Sequence, residues 1–405
     1  MKLLLIEPRN LFPRDSGAKI LSSNILRNLL DEHDVTVLVN IDPDDPAEHL
    51  DALHDLCSQV IAVPWKELVN FTPRFYLELI RCLFTGEVYA VKKFCTPGLK
   101  SAAADLARRG GFDVVLCDTL SAFMPDVDFG DVPCIAIAHN VEYRLRERQA
   151  ERARGPKAAY LRYYARKTRE FEVDAFRRAD HVVSVSPVDA EFIRTELGVG
   201  HVTPIPPGVD TEYFSPRDGE SAEPGIVFTG SMDWQSNQDA VGFFVREVLP
   251  RIKQAVPEVR FTIVGRRPPP AVRALAEDDP DHVEVTGTVD DVRPYLARAQ
   301  VAAVPVLFGS GVKIKVFEAM AMAKAVVVSP IGAEGLPLTD RENVLVAGSA
   351  EAMAAGCIEL LGDPDLRRRL GARARATVVD GHDWSVVAAA LIRICEHVIH
   401  RRAPA

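Results

Sequence analysis

The chain has 405 residues, of which 47% are hydrophobic and 26% charged, the balance of an ordinary globular protein with two or three domains. Its net charge of −9 argues against bulk nucleic-acid binding, which needs a basic surface. Glu7 and Pro8 end the first apolar run too early for a signal peptide, no run has the length of a membrane span, and the seven cysteines are scattered without a C-x-x-C pair, so a cytoplasmic protein with reduced thiols is expected.

Lys2 to Ile6 reads as a strand, followed by a loop with Pro8, Pro13, Ser16 and Gly17. Ala18 to Leu30 reads as a helix and Val35 to Val39 as the next strand, which makes one βαβ unit of a parallel sheet. Gly17 is a candidate for close approach to a ligand. Further strands are expected at Gln59 to Val63, Asp113 to Cys117, Cys134 to Ala138 and Val182 to Val185. Phe71 to Phe84 is helical and rich in aromatics of the exposed type. The strand ending at Ala138 runs into His139-Asn140-Val141-Glu142. Ligands gather beyond the carboxyl ends of strands in open α/β sheets, so His139 stands where chemistry occurs.

Arg144 to Arg178 carries twelve Lys or Arg against five acids, a local +7 inside an acidic protein. Such charge can meet anionic lipid headgroups or a phosphorylated acceptor, and it can equally be a solvated helical face. His201 to Asp210, with three prolines and a glycine, reads as a linker. A second strand–helix series then begins: Ile226 to Thr229, a helix over Asp239 to Val256, Arg260 to Val264, Val283 to Thr286, Val301 to Pro305, a helix over Val312 to Ala323, and Ala325 to Val328. The chain closes on a long helix, Asp383 to His400.

Within that series, Gly309 to Ala321 is the stretch best suited to hold a ligand. A buried strand, a small-residue loop and a helix start present free backbone N–H groups. Lys313 and Lys315 add positive charge there. Phe317 and Met320 face the core, while Lys315 and Glu318 lie on a different, polar face. The site suits a diphosphate, with Glu318 placed to accept from ribose hydroxyls. Four D-x-D patterns, at Asp42, Asp126, Asp279 and Asp363, raise the question of a divalent metal. Three have proline in the middle, which is turn chemistry, so no metal and no other cofactor is expected. Cys395, His397 and His400 have no complementary ligand cluster.

Taken together, these features resemble the GT-B glycosyltransferases, and in detail glycosyltransferase family 4 (the group 1 sugar transferases). The carriers are Ser16-Gly17-Ala18, His139 to Glu142, Pro207-Gly208-Val209-Asp210, Phe228 to Trp234, Thr286 to Leu296 and Lys313 to Ala321. The resemblance implies two Rossmann-like, doubly wound α/β domains facing across a cleft. The first would be residues 1–207, on the acceptor side, with the last helix (about 384–405) packing back on it. The second, 208–383, would bind the nucleotide sugar.

The activity implied is retaining, metal-independent transfer of a sugar from a nucleotide diphosphate sugar to a glycan, lipid-linked or small-molecule acceptor. Ser310, Gly311, Lys313 and Lys315 would hold the diphosphate, Glu318 the ribose, and Gly287 to Val289 the base. Gly17, Gly230 and Ser231 would also border the donor. His139 would touch the transferred sugar, so His139, Lys315 and Glu318 form the catalytic set. This reading admits peripheral contact with the inner face of the cell membrane. Two departures stand out. Many members carry an arginine after the glycine matching Gly230 and a lysine about five residues on, where this chain has Ser231 and Ser236. The first of the usual two glutamates falls at Ser310. Lys313 and Lys315 are expected to supply the missing charge. The other readings are a non-catalytic partner in glycan assembly and a nucleotide-sugar 2-epimerase.

Overall fold

The computed structural model describes residues 1–405 except 15, 70, 125, 217–223, 309–311 and 403–405, and leaves the Arg152 side chain undescribed. Ser310 and Gly311, expected at the diphosphate, therefore lie outside the described residues. The chain divides into two compact units, Met1–Ile205 with Val387–Ala405, and Pro206–Val386.

The first unit carries β1 (Lys2–Glu7), β2 (Asp34–Ile41), β3 (Val60–Pro64), β4 (Val114–Asp118), β5 (Cys134–Ala138), β6 (His181–Ser184) and β7 (Val202–Pro204). They form one sheet in the order β3-β2-β1-β4-β5-β6-β7, and every pairing is parallel. Helices cover both faces of such a sheet, so its strands must be apolar on both sides. Leu3, Leu4, Leu5 and Ile6 accordingly are all buried. The second unit repeats the plan with β8 (Gly225–Thr229), β9 (Arg260–Val264), β10 (Val283–Gly287), β11 (Val301–Val304), β12 (Ala325–Val328) and β13 (Leu345–Val346), in the order β10-β9-β8-β11-β12-β13.

The strand order reverses direction once in each sheet, between β1 and β4 and between β8 and β11. At such a switch point the loops leaving two neighbouring strands diverge to opposite faces and leave a crevice beyond their carboxyl ends. These two places position everything that follows.

Two expectations need correction, and a third segment gains detail. The linker segment is not all linker, since Val202–Pro204 pairs with β6 as an edge strand, where proline is tolerated. The helix expected over 239–256 starts at Gln235 and passes through a π turn at Phe244–Val248. Pro250, lacking an N–H, cannot bond to the carbonyl four residues back, and the wider turn accommodates it. The basic segment is two helices, Glu142–Arg152 and Gly155–Arg178, which break where Gly155 takes φ +63°.

Candidate active site

At the second unit's switch point the chain leaves β8 through Gly230. A Cβ there would displace the Lys315 ammonium and come within 3.0 Å of Asn237 Nδ2, and the φ of +156° is one that favours glycine. Lys315 reaches this point from the helix Ile314–Ala321. Its Nζ donates to Asn237 Oδ1 at 2.7 Å and lies 4.0 Å from the Phe228 ring centroid. Asn237 Nδ2 in turn donates to the Ser231 carbonyl at 2.7 Å, and Ser236 Oγ to the Phe308 carbonyl at 2.6 Å. The polar face expected for Lys315 and Glu318 is thus not a solvated one. Both residues are half-buried, and Met322, one turn beyond Glu318, is fully buried. Burial pushes the Lys315 ammonium down to about 7 and the Glu318 carboxyl up to about 7, each partly opposed by the other's charge. Lys313, which precedes the helix, is also lowered by burial.

Sequence reasoning missed two members of this group. Arg266 leaves the end of β9, donates from Nε to Ser231 Oγ at 2.7 Å and pairs through Nη2 with Asp233 at 3.3 Å. Gly265 before it brings the two loops together, since a Cβ there would strike the Gly230 carbonyl. The signal was Gly265-Arg266-Arg267 directly after an apolar strand. Asn237 lay just ahead of the helix expected from Asp239, and nothing local marked it. The lysine-bearing helix is itself firmly seated. Gly371 lies so close to its end that a Cβ would meet the Ala323 carbonyl.

Beyond β9 and β10 lies an open hollow of about 350 Å³, lined by Arg267, Pro268, Arg273, Val285, Thr286, Gly287 and Thr288. Gly287 takes φ +73°, a conformation that favours glycine, and so turns the chain out of β10. Val289, expected beside the base, packs its side chain against the second unit's core.

In the first unit, β1 and β4 each end on an acid at the switch point, Glu7 and Asp118, both buried. Asp118 accepts from His139 Nε2 at 2.5 Å, from Ser22 Oγ and from Glu7. Burial alone would raise Asp118, but the nearby His139 and these hydrogen bonds hold it below its ordinary value. Glu7 is pushed well above the carboxylate range by burial and then by Asp118. Of the two carboxyls, Glu7 is thus the one that holds a proton more readily and Asp118 the one that ionises. With Asp118 as acceptor, His139 carries hydrogen on Nε2. Nδ1 has no partner among the described residues, and in the neutral ring it is an acceptor. Thr119 follows at φ +71°, unusual for a β-branched residue, so the backbone here is fixed against its preference. Gly17 opens the helix Gly17–Leu30, and a Cβ there would meet nothing within 4 Å.

The turn after His139 is held from behind. Glu172, fully buried in the helix Gly155–Arg178, accepts from the Glu142 N–H at 2.8 Å and the Tyr143 N–H at 3.2 Å. It caps the helix that begins there from a distant part of the chain. Glu172→Ala should cost about 1–3 kcal/mol for each N–H left without an acceptor, measured by urea unfolding. Burial, against the pull of the two amides, raises this carboxyl from 4.5 to about 8. The unfolded chain would release its proton near 4.5 while the folded one keeps it, so this residue's contribution to stability falls as the pH rises from 4.5 to 8. Glu172→Gln should flatten that slope.

The four acidic pairs have other work. Asp42 accepts from the Asp44 and Glu67 N–H groups, and Asp44 pairs with Lys66. Asp126 pairs with Lys100, Asp128 accepts from the Gly130 N–H, Asp279 binds Lys253 and His282, and Asp363 caps a helix. No three His, Cys, Asp or Glu among the described residues stand together as metal ligands.

Residues 16–213 match the family model described as Glycosyltransferase Family 4, and residues 223–363 match the one described as Glycosyl transferases group 1. The chain belongs to the group 1, family 4 glycosyltransferases. A phosphatidyl-myo-inositol mannosyltransferase of Mycolicibacterium smegmatis is 34% identical over 228 residues, 53% of this chain and 57% of its own length. An MMP α-(1→4)-mannosyltransferase of Mycolicibacterium hassiacum is 29% identical over 325 residues, 76% of each chain. The chain thus spans little more than half the length of the phosphatidyl-myo-inositol mannosyltransferases it matches.

Among solved structures, sucrose-phosphate synthase from Thermosynechococcus elongatus superposes with a TM-score of 0.69 at 18% identity, covering 99% of this chain and 100% of that one. Anabaena HepE in complex with UDP gives 0.68 at 14%, covering 98% and 100%. Such likenesses establish the fold, which is GT-B, built from two Rossmann-like units. Where many members of this glycosyltransferase family carry arginine and lysine after the glycine, the present chain has Ser231 and Ser236. Lys315 arrives beside that glycine from the helix Ile314–Ala321 and Arg266 from the loop after β9.

Proposed function

We propose that the chain is a retaining, metal-independent glycosyltransferase that moves a sugar from a nucleotide diphosphate sugar to a hydroxyl of a glycan, lipid-linked or small-molecule acceptor. In that reaction the bond from the anomeric carbon to the diphosphate oxygen breaks. The acceptor oxygen bonds to the same face of that carbon, and the acceptor's proton leaves with the diphosphate. The observation that carries the reading is the placement of the Lys315 ammonium against Gly230 at the switch point. A fixed cation there meets the charge that develops on a leaving diphosphate. Lys313 and Arg266 add to it, Glu318 takes the ribose hydroxyls, and the hollow beside Gly287 takes the base. His139 belongs to the transferred sugar through Nδ1.

Relatives include mannosyltransferases named as GDP-mannose-dependent, and neighbours of the fold include HepE with UDP-glucose. GDP-mannose is therefore the first donor to test, in a thermal-shift panel beside UDP- and dTDP-sugars. Binding of a nucleotide sugar, followed by transfer that persists in excess EDTA, is the expected result. Activity that EDTA abolishes and Mg²⁺ restores would overturn metal independence. Turnover of the donor alone, to free sugar or an epimer, would overturn transfer.

A further inference from the structure

The helix Pro73–Thr85 has only one fully buried side chain, Cys82. Tyr76, Leu77, Ile80, Leu83 and Phe84 are all exposed, Leu77 at 65% and Phe84 at 84%. Their spacing of one, three, three and one places them on a single stripe about 120° wide and, at 1.5 Å per residue, about 12 Å long. Val69 and Phe71, exposed at 69% and 80%, extend the apolar surface ahead of the helix. A stripe of this kind on a water-facing helix marks a contact surface rather than scattered exposure.

Its border is cationic. Arg74 and Arg81, both exposed, follow each other along one edge of the stripe. At the helix's far end, Tyr163 Oη donates to the Leu83 carbonyl at 2.9 Å and ties the helix Gly155–Arg178 alongside. Arg162 and Arg166 flank Tyr163 and line a groove of about 480 Å³ with Tyr143 and Arg169. The same groove carries Glu147 and Glu151, Glu170 pairs with Lys167 and more loosely with Arg166, and Glu78 pairs with Lys92, so Arg74, Arg81, Arg162, Arg166, Lys167 and Arg169 still outnumber the acids along this edge. Long cationic side chains beside an apolar stripe can keep their charge in water while their stems lie on hydrocarbon.

We propose that the Pro73–Thr85 helix lies in the surface of an anionic membrane, with Tyr76, Leu77, Ile80, Leu83 and Phe84 entering the acyl boundary and Arg74, Arg81, Arg162 and Arg166 meeting the headgroups. This relocates the membrane contact expected from the charge of the Arg144–Arg178 segment. The basic helices supply attraction, and the neighbouring helix supplies the apolar face that attraction alone lacks.

The test is flotation of the whole chain with vesicles of phosphatidylcholine, with and without phosphatidylserine. The parent should float with the serine-containing vesicles and far less with the others. Leu77→Ser, Ile80→Ser and Phe84→Ser combined should lower binding at least tenfold at every salt concentration, with the melting temperature kept, since all three are exposed. Arg162→Ala with Arg166→Ala should lower binding at low salt and leave little further loss at high salt. A parent that floats with neither vesicle overturns the proposal, as does a triple-serine variant that floats like the parent. A parent dimer in sedimentation that the triple-serine variant dissolves also overturns it and assigns the face to a second copy. No arm measures transfer, so the outcome stands apart from the catalytic reading.

Discussion

His139→Ala is expected to lower the single-turnover rate of transfer on the order of 10²-fold while leaving nucleotide diphosphate affinity nearly unchanged. The histidine stands at the end of β5 in the first unit, whereas the cations assigned to the diphosphate belong to the second. Its ring is oriented by Asp118, itself locked by Glu7 and Ser22. A group held this firmly can contribute to the transition state without an ordering cost at the moment of reaction, and its loss then appears in rate rather than in ground-state binding. Asp118→Asn tests the orienting role separately. An amide can present its nitrogen to Nε2 and turn the ring to the other tautomer, so the rate should fall although His139 remains. Calorimetry with the nucleoside diphosphate and single-turnover kinetics read the two effects. A full rate for His139→Ala would make the cluster a structural one.

Lys315→Met should weaken nucleoside diphosphate binding by about 1.5–3 kcal/mol, the worth of a charged hydrogen bond, roughly 10- to 150-fold in affinity. Methionine is the informative replacement. Lys315 lies over Phe228, so alanine would open a gap as well as remove a charge. Asn237 and Gly230 remain in place in the methionine variant, which isolates the ammonium. The wild-type affinity should also depend on pH. The ammonium is the form that attracts a diphosphate, and burial lowers it to about 7. Glu318 ionises over the same range. Raising the pH from 6 to 8 therefore takes the pair from net positive toward net negative, and affinity should fall. Binding near pH 7 should take up protons, because the bound phosphates raise the lysine again. Calorimetry in buffers of different ionisation heat would show that uptake. A pH-independent affinity in the wild type, matched by Lys315→Met, would remove Lys315 from the diphosphate site.

The sheets were legible because buried parallel strands are apolar on both faces and stand out as short runs such as Leu3-Leu4-Leu5-Ile6 and Ala325-Val326-Val327-Val328. The edge strands β7 and β13 were not, because three residues with a proline, or two residues, carry no periodicity. Among the candidate-site residues, those adjacent in sequence to a strand end or helix start could be read as candidates, as with His139, Lys315 and Glu318. Residues that join the site through tertiary contact could not. Glu7 and Asp118 close apolar runs that read simply as strand ends, and nothing local says they meet. Arg266 and Lys315 converge on Gly230 from a loop and a helix some fifty residues apart, a proximity created by the β9-β8-β11 order. The burial of Lys315 was missed for the same reason, since helix periodicity reports a face but not what covers it.

The discontinuity of the first unit bears on how the molecule is made. Its last piece, Val387–Ala405, contributes Arg402, which binds Asp180 at 2.8 Å and the Gly130 carbonyl at 3.0 Å. Those partners leave the ribosome more than two hundred residues before Arg402 does. Throughout synthesis of residues 206–386 the nascent first unit must wait with that surface uncovered, while the second unit can close on itself as soon as it emerges. Folding order in the cell therefore need not follow chain order. Contacts of such long sequence separation form slowly, and the waiting intermediate is the species most exposed to chaperones and proteases.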